Sequence, residues 1–383
     1  MINDLMNYID QKDLEMLKMI ETLVNMDSGS RYKKEVDILG DLLKNKWEEI
    51  GFSIEKFIFE QVGNCYIARI NENSFGEKVV LIGHFDTVFP KGEARLRPFT
   101  VDGNKAFGPG VGDMKSGIVT MFYAVKALRK QGYLKKPISV ILNSHEEIGS
   151  AYARELINSE VKDAKLVFNL EPARPNGAVV TGRKGTASLD INISGKAAHA
   201  GVEPEKGANA NLELAERIIE LNKLNGLQEG LTINANIISG GSARGIISDQ
   251  AKAECAVHFN KISDIGYLKR KIEELFFKPK VKGTKIETEL KILFLPLEKN
   301  NNTMFAYNII TEAGEKLGIK IKEAFTGGGA DAGFASQNGI PTLCGMGPVA
   351  GNLHSSSEYL EIPSITERCK LLALSLMLFW QRK

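Results

Sequence analysis

The chain has 383 residues, 43% hydrophobic and 25% charged, and its 49 Lys and Arg against 47 Asp and Glu leave a formal net charge of +2. That balance, with no basic stripe to track phosphates, excludes nucleic acid as an expected partner. At this length a single hydrophobic core has stopped growing, so two domains are expected.

The first 23 residues, "MINDLMNYIDQKDLEMLKMIETL", carry charges in every turn and lack the basic start, apolar middle and small-residue cleavage site of a secretory leader. Helical spacing follows at Val36, Leu39, Gly40, Leu43, Trp47 and Ile50, and again at Ile118, Met121, Phe122, Val125 and Leu128. Between and after these helices lie the apolar runs "VVLIG" (79–83), "ISVILN" (138–143), "KLVFNL" (165–170) and "PTLCGM" (341–346). Runs apolar on both faces suit the central strands of a mostly parallel sheet covered by helices.

From about residue 186 the pattern changes. "TASLDINISG" alternates, a helical segment follows around "NANLELAERIIEL", "TINANII" and "AECAVHF" alternate again, a second helix spans about 263–276, and "KIETELKILF" alternates once more. Strand, helix, strand, strand, helix, strand is the ferredoxin-like order of a small open α+β sheet. The expectation is an α/β domain made of 1–184 and 297–383, with a second domain, 185–296, inserted into it. The C-terminal run "LLALSLMLFW" is far short of the roughly 20 apolar residues of a membrane span. Four cysteines without regular spacing read as reduced core residues of a cytoplasmic protein.

Ligands of an open parallel sheet bind outside the carboxyl ends of its strands. "VVLIG" runs into His84 and Asp86, "ISVILN" into Glu146 and Glu147, and "KLVFNL" into Glu171; Asp113 precedes the helix of 114–130, and His354 follows the strand at 341. Two histidines and several carboxylates on one edge call for metal cations to join them. Adjacent residues of an extended segment point to opposite sides. One of Glu146 and Glu147 is therefore expected to ligate a metal while the other takes a proton from the water bound to it, the working part of a metallohydrolase; geometry alone leaves open which does which. "GPGVGD" departs from a dinucleotide fingerprint, because Asp113 stands where the third glycine belongs and would repel pyrophosphate.

Taken together, "HFDTVFP", "GPGVGDMKSG", "HEEIGS", "LEP", "GKAAHAG" and "TGGGADA" closely resemble the two-zinc metallopeptidases that include bacterial glutamate carboxypeptidase, aminoacylase, acetylornithine deacetylase and succinyl-diaminopimelate desuccinylase. The resemblance covers nearly the whole chain. It implies a zinc-exopeptidase-like catalytic domain and an inserted domain that serves as lid and dimerisation surface. It further implies two Zn ions per subunit, with Mn or Co able to occupy the same sites: Asp113 bridges them, His84 and Glu171 complete one site, and Glu147 and His354 the other. Glu146 becomes the general base, and Asp86 the carboxylate behind the histidine ligand. A cis peptide after Asp113 belongs to the same pattern. His199 would reach across a homodimer interface to polarise the scissile carbonyl. Arg244 and the bare backbone of Gly327, Gly328 and Gly329 would hold a substrate carboxylate. His145 is expected to support the site or face outward, and His258 to be structural.

The expected activity is hydrolysis of the amide bond of a peptide or N-acyl amino acid with a free carboxylate, of carboxypeptidase or dipeptidase type. A biosynthetic N-acyl amino acid deacylase is the alternative within the class, and a non-catalytic dimeric scaffold the alternative outside it. The chain departs from the glutamate-cleaving pattern at Gly245, Ser248, His258 and Leu295, which weakens the case for glutamate as the preferred C-terminal residue.

Overall fold

The computed structural model describes residues 2–382. The chain forms two compact units: a larger one of residues 1–182, 299–326 and 330–383, and a smaller one of Arg183–Glu298 with Gly327–Gly329. The glycine turn thus counts with the smaller unit, whereas the sequence reading gave it to the larger.

The larger unit is built on a six-stranded sheet in the order 53–57, 65–70, 138–143, 78–84, 164–169, 342–343. The last four run parallel, and 53–57 with 65–70 adds an antiparallel hairpin at one edge. Ile138–Asn143 is buried at every position and Lys78–His84 at all but its first, as both-face apolar runs require. The run at 341–346 contributes only the short strand Thr342–Leu343 before the chain turns away.

Helix Lys33–Glu49 buries Val36, Leu39, Leu43 and Trp47, the stripe expected from their spacing. Helix Ser116–Lys130 is buried on nearly all sides, and helix Pro363–Gln381 packs the C-terminal apolar run into the same core. Among the described residues no helix is long and apolar enough to cross a membrane. A second small sheet, in the order 350–351, 359–361, 105–107, 100–102, flanks the two loops that carry Asp113 and His354. Strands of two or three residues are too short to show a period in the sequence.

The smaller unit has four antiparallel strands in the order 232–240, 250–259, 185–194, 285–294, with helices Ala210–Asn222 and Ser263–Phe276. This is the ferredoxin-like arrangement. Leu189, Ile191 and Ile193 alternate inward beneath Leu214, Leu221, Leu268 and Ile272.

Gly117 opens the helix that follows Asp113. A Cβ there would lie 2.1 Å from the Leu170 carbonyl oxygen, a rigid backbone atom one residue before Glu171. Gly117→Ala is therefore expected to destabilise the protein by about 2–4 kcal/mol, through overpacking that cannot relax without moving a strand end. Urea unfolding of the variant beside the parent protein measures it.

Candidate metal centre

Three neighbouring parallel strands, 138–143, 78–84 and 164–169, end on one edge of the large sheet and deliver Glu146 and Glu147, His84, and Glu171 there. Asp113 arrives from the turn Val111–Lys115, where the Asp113–Met114 peptide bond is cis. His354 arrives from the loop between strands 350–351 and 359–361 with φ at +61°, a left-handed conformation that persists in a non-glycine residue only where its surroundings impose it.

Asp113 stands at the middle. Its Oδ1 lies 3.0 Å from His84 Nε2 and its Oδ2 3.2 Å from His354 Nε2. On the first side Glu171 Oε1 is 3.4 Å from His84 Nε2; on the second Glu147 Oε2 is 3.1 Å from His354 Nε2. Glu146 Oε2 lies farther from His84 Nε2, at 3.9 Å. Ligand atoms of His84, Asp113 and Glu147, and of His84, Glu146 and Glu171, converge closely enough for each group to hold a cation. Glu147 Oε1 is buried and has no hydrogen-bond partner within the protein. Two imidazoles among this many buried carboxylates form a donor set suited to divalent metal, and the unpartnered oxygen fits a ligand that a cation completes.

Asp86 organises the edge. Its Oδ1 accepts from the Glu146 backbone N–H at 3.0 Å, its Oδ2 accepts from the Glu147 N–H at 3.1 Å and from Ser30 Oγ at 2.6 Å, and Oδ1 also lies 3.3 Å from His84 Nδ1. One carboxylate therefore orients the histidine and both glutamates. The glutamates sit in the single 3-10 turn Glu146–Ile148, not in the extended segment that the sequence reading assumed.

His145 is fully buried and does not face outward. Its Nε2 accepts from the backbone N–H groups of Tyr152 and Ala153 at 3.3 and 3.1 Å, at the start of helix Ala153–Val161, and burial lowers its pKa to about 4. His258 is half-buried on strand Gln250–Phe259 of the smaller unit.

Three supporting residues escape the sequence reading. Ser30 reaches Asp86 across the chain; Glu358 Oε1 accepts from the Gly112 and Asp113 N–H groups at 2.8 and 3.0 Å. Asp331 accepts from Asn143 Nδ2 at 2.7 Å and Ser150 Oγ at 2.5 Å, fixing the strand end before the glutamate turn. Asp331 lies inside the motif "TGGGADA" and Glu358 four residues after His354 in "HSSSEY", so an acid within or near a functional stretch is the available signal.

His199, Arg244 and Gly327–Gly329 belong to the smaller unit. His199 is exposed and forms a bridge with Ile246, and its Nδ1 accepts from the Gly201 and Val202 N–H groups at 3.2 and 3.1 Å. Arg244 is exposed in the loop just before that bridge. The Gly328 carbonyl accepts from Arg183 Nε at 2.9 Å.

Residues 80–378 match the model of peptidase family M20/M25/M40. The chain belongs to this family. Carboxypeptidase G2 of Pseudomonas sp. (strain RS-16) is 30% identical over 371 residues, covering 94% of this chain and 88% of that one. Among solved structures, a tripeptidase from Staphylococcus aureus superposes with a TM-score of 0.82 at 23% identity, covering 97% of this chain and 99% of that one. The YXEP protein of Bacillus subtilis, described as a dinuclear metal binding peptidase, has a TM-score of 0.71 at 16% identity, covering 97% and 99%. The M20-family chain is thus a metal-dependent hydrolase of the peptidase or deacylase type, with an α/β fold and a largely parallel central sheet.

Charge in this centre is balanced by protons when no metal is bound. Burial would depress the His84 pKa, but Glu146, Asp113, Asp86 and Glu171 outweigh it and hold the imidazole well above its usual range. Asp113 and Glu147 push His354 up to about 10. Burial, then the Asp113 charge, raises Glu147 to about 7. Glu147 holds an extra proton in the folded state between its usual 4.5 and about 7, and His84 and His354 do so above their usual 6.5, His354 up to about 10, so in succession they give stability a negative slope with pH from about 5 to about 9. Asp113, which the two histidines hold below the usual carboxylate range, titrates beneath the window. The metal-free protein is expected to lose stability as pH rises from about 5 to about 9, while divalent-metal affinity rises because binding must displace those protons. Thermal unfolding with and without chelator, and calorimetry in buffers of different ionisation enthalpy, measure the two effects.

Proposed function

We propose that the protein is a two-metal amidohydrolase that cleaves a peptide or N-acyl amino acid carrying a free carboxylate, with Glu146 moving the protons. The observation that carries this reading is Asp113 presenting one oxygen to each histidine, with Glu171 beside His84 and Glu147 beside His354. Those five residues would hold two ions, Zn by their mixture of imidazole and carboxylate and Mn or Co by the same donors. The ions, when bound, supply Lewis acidity to the scissile carbonyl and to the attacking water.

Glu146 remains when the five ligands are counted. It is buried at the centre, and burial, with Glu171, Asp331 and Glu147 nearby, raises its pKa well above the usual carboxylate range despite His84. A carboxylate of raised basicity takes a proton from water more readily and returns it to the departing amine. Two backbone amides on His199 Nδ1 leave Nε2 to carry the proton, which makes the ring a donor suited to a developing oxyanion. Arg244 and the Gly327–Gly329 backbone would hold the carboxylate of the leaving amino acid.

A homodimer through the smaller unit completes the reading. Strand 232–240 is an edge of its sheet, with Ile237 57% and Ile238 58% exposed, and a groove lined by Leu214, Ala215, Ile218 and Ile238 runs beside it. An edge this apolar is a template for pairing with a second copy. Four buried free cysteines support work in a reducing compartment, the cytoplasm. Carboxypeptidase or dipeptidase activity leads, supported by the likeness to carboxypeptidase G2.

Glu146→Gln is expected to lower kcat on a panel of dipeptides and N-acyl amino acids by about 10²–10⁴-fold while metal content stays at two per chain, read by elemental analysis. Loss of one metal in the variant would instead make Glu146 a ligand. Ile238→Lys is expected to shift the protein from dimer to monomer in sedimentation and, because His199 would act across the interface, to lower kcat with it.

A further inference from the structure

We propose that Arg31 selects substrates in which the residue supplying the scissile carbonyl has an acidic side chain. The inference rests on the hydrolase reading above, in which Arg244 and the glycine turn take the leaving amino acid and the larger unit is left to seat the acyl side.

The larger unit holds a cavity of about 290 Å³ whose wall includes Arg31, Tyr32, Phe89, Glu147 and Ile148. Glu147 belongs to the metal-ligand cluster, so whatever fills the cavity lies against the reacting groups. The loop that carries Arg31 is fixed from below: Ser30 N–H donates to the Thr87 carbonyl at 3.0 Å, Thr87 N–H to the Ser28 carbonyl at 2.9 Å, and Ser30 Oγ to Asp86 at 2.6 Å. A Cβ at Gly29 would lie 2.1 Å from the Phe89 carbonyl oxygen, which is how closely the two loops are seated.

The other cations around this cavity are committed. Lys33 pairs with Asp37 at 2.8 Å, Lys91 pairs with Glu35, and Arg97 pairs with Glu93 and lies 4.8 Å over the Phe89 ring. Arg31 is exposed, and among the described residues no carboxylate pairs with it. A guanidinium fork grips a carboxylate in two parallel hydrogen bonds. Tyr32 and Phe89 offer apolar surface for the methylene stem that precedes such a carboxylate. An anionic tip on a short apolar stem describes a Glu or Asp side chain.

The test compares the metal-loaded protein with Arg31→Ala and Arg31→Lys on Glu-Ala and Gln-Ala, which differ only by a charge. Arg31→Ala is expected to lower kcat/KM for Glu-Ala by about 10- to 100-fold and for Gln-Ala by less than about 3-fold, with Arg31→Lys between. Equal losses on both substrates, or none, would overturn the proposal. Calorimetric binding of the reduced-amide analogues of Glu-Ala and Gln-Ala, in which CH2–NH replaces the scissile amide, to the same proteins needs no turnover. A preference for the Glu analogue that disappears in Arg31→Ala supports the site even if no amide is cleaved, in which case only the hydrolase reading falls. No such preference in the parent protein overturns the role of Arg31 directly.

Discussion

Asp113 is the constraint on which the rest of the centre depends. A carboxylate that serves two imidazoles, one at each oxygen, fixes the separation of His84 and His354 and must itself be held without using either oxygen. The fold solves this through the backbone. Glu358 accepts from the N–H groups of Gly112 and Asp113, and the loop lies between a small sheet on one side and the start of helix Ser116–Lys130 on the other. The tight contact of Gly117 with the Leu170 carbonyl ties that helix to the strand that delivers Glu171. Asp113 and Glu171 are thus positioned by one packing contact.

The same arrangement concentrates negative charge where water is scarce. Asp86, Asp113, Glu146, Glu171, Asp331 and Glu358 are all buried, and burial raises Asp331 to about 6 and Glu358 to about 7. Such a cluster costs stability unless cations or protons neutralise it. A core of ordinary apolar packing carries that cost, with Trp47, Phe85, Phe168 and Met16 fully buried around and beneath the sheet. Concentrated charge is what makes the edge a metal site, and a deep sheet is what makes the concentration tolerable.

Much of this was legible in the sequence because it is written in periodicity and in strand ends. Both-face apolar runs announce central parallel strands, and polar residues at or just after the end of each run announce a functional edge; His84, the pair Glu146 and Glu147, and Glu171 stand out that way, while the separate roles of the pair come only from the family resemblance. The alternation from 186 to 294 was enough for the strand order of the smaller unit. What stayed hidden depends on contacts between residues far apart in the chain. Ser30 lies 56 residues from Asp86, and Glu358 lies 245 from Asp113, separations that no local pattern records. Which of its two expected roles His145 takes was hidden for a related reason. A histidine accepting two helix-start amides looks, in sequence, like any polar residue beside a glutamate pair. The turn at Glu146–Ile148 was read as extended because three residues are too few to carry a period.

That last correction changes why the two glutamates diverge. In an extended strand alternation alone would separate them; in a one-turn helix, adjacent side chains are about 100° apart and nothing yet forbids a shared ion. Asp86 supplies the missing restraint by accepting one backbone N–H from each residue, so the peptide plane between them is held and their side chains leave it in different directions. Glu147 then reaches His354, while Glu146 is left near His84 with Asp113 and Glu171 both closer to that ring. In the two-metal reading proposed above, the division between ligand and base follows from which neighbour is already crowded. His84 has two nearer carboxylates, and His354 has room for one more.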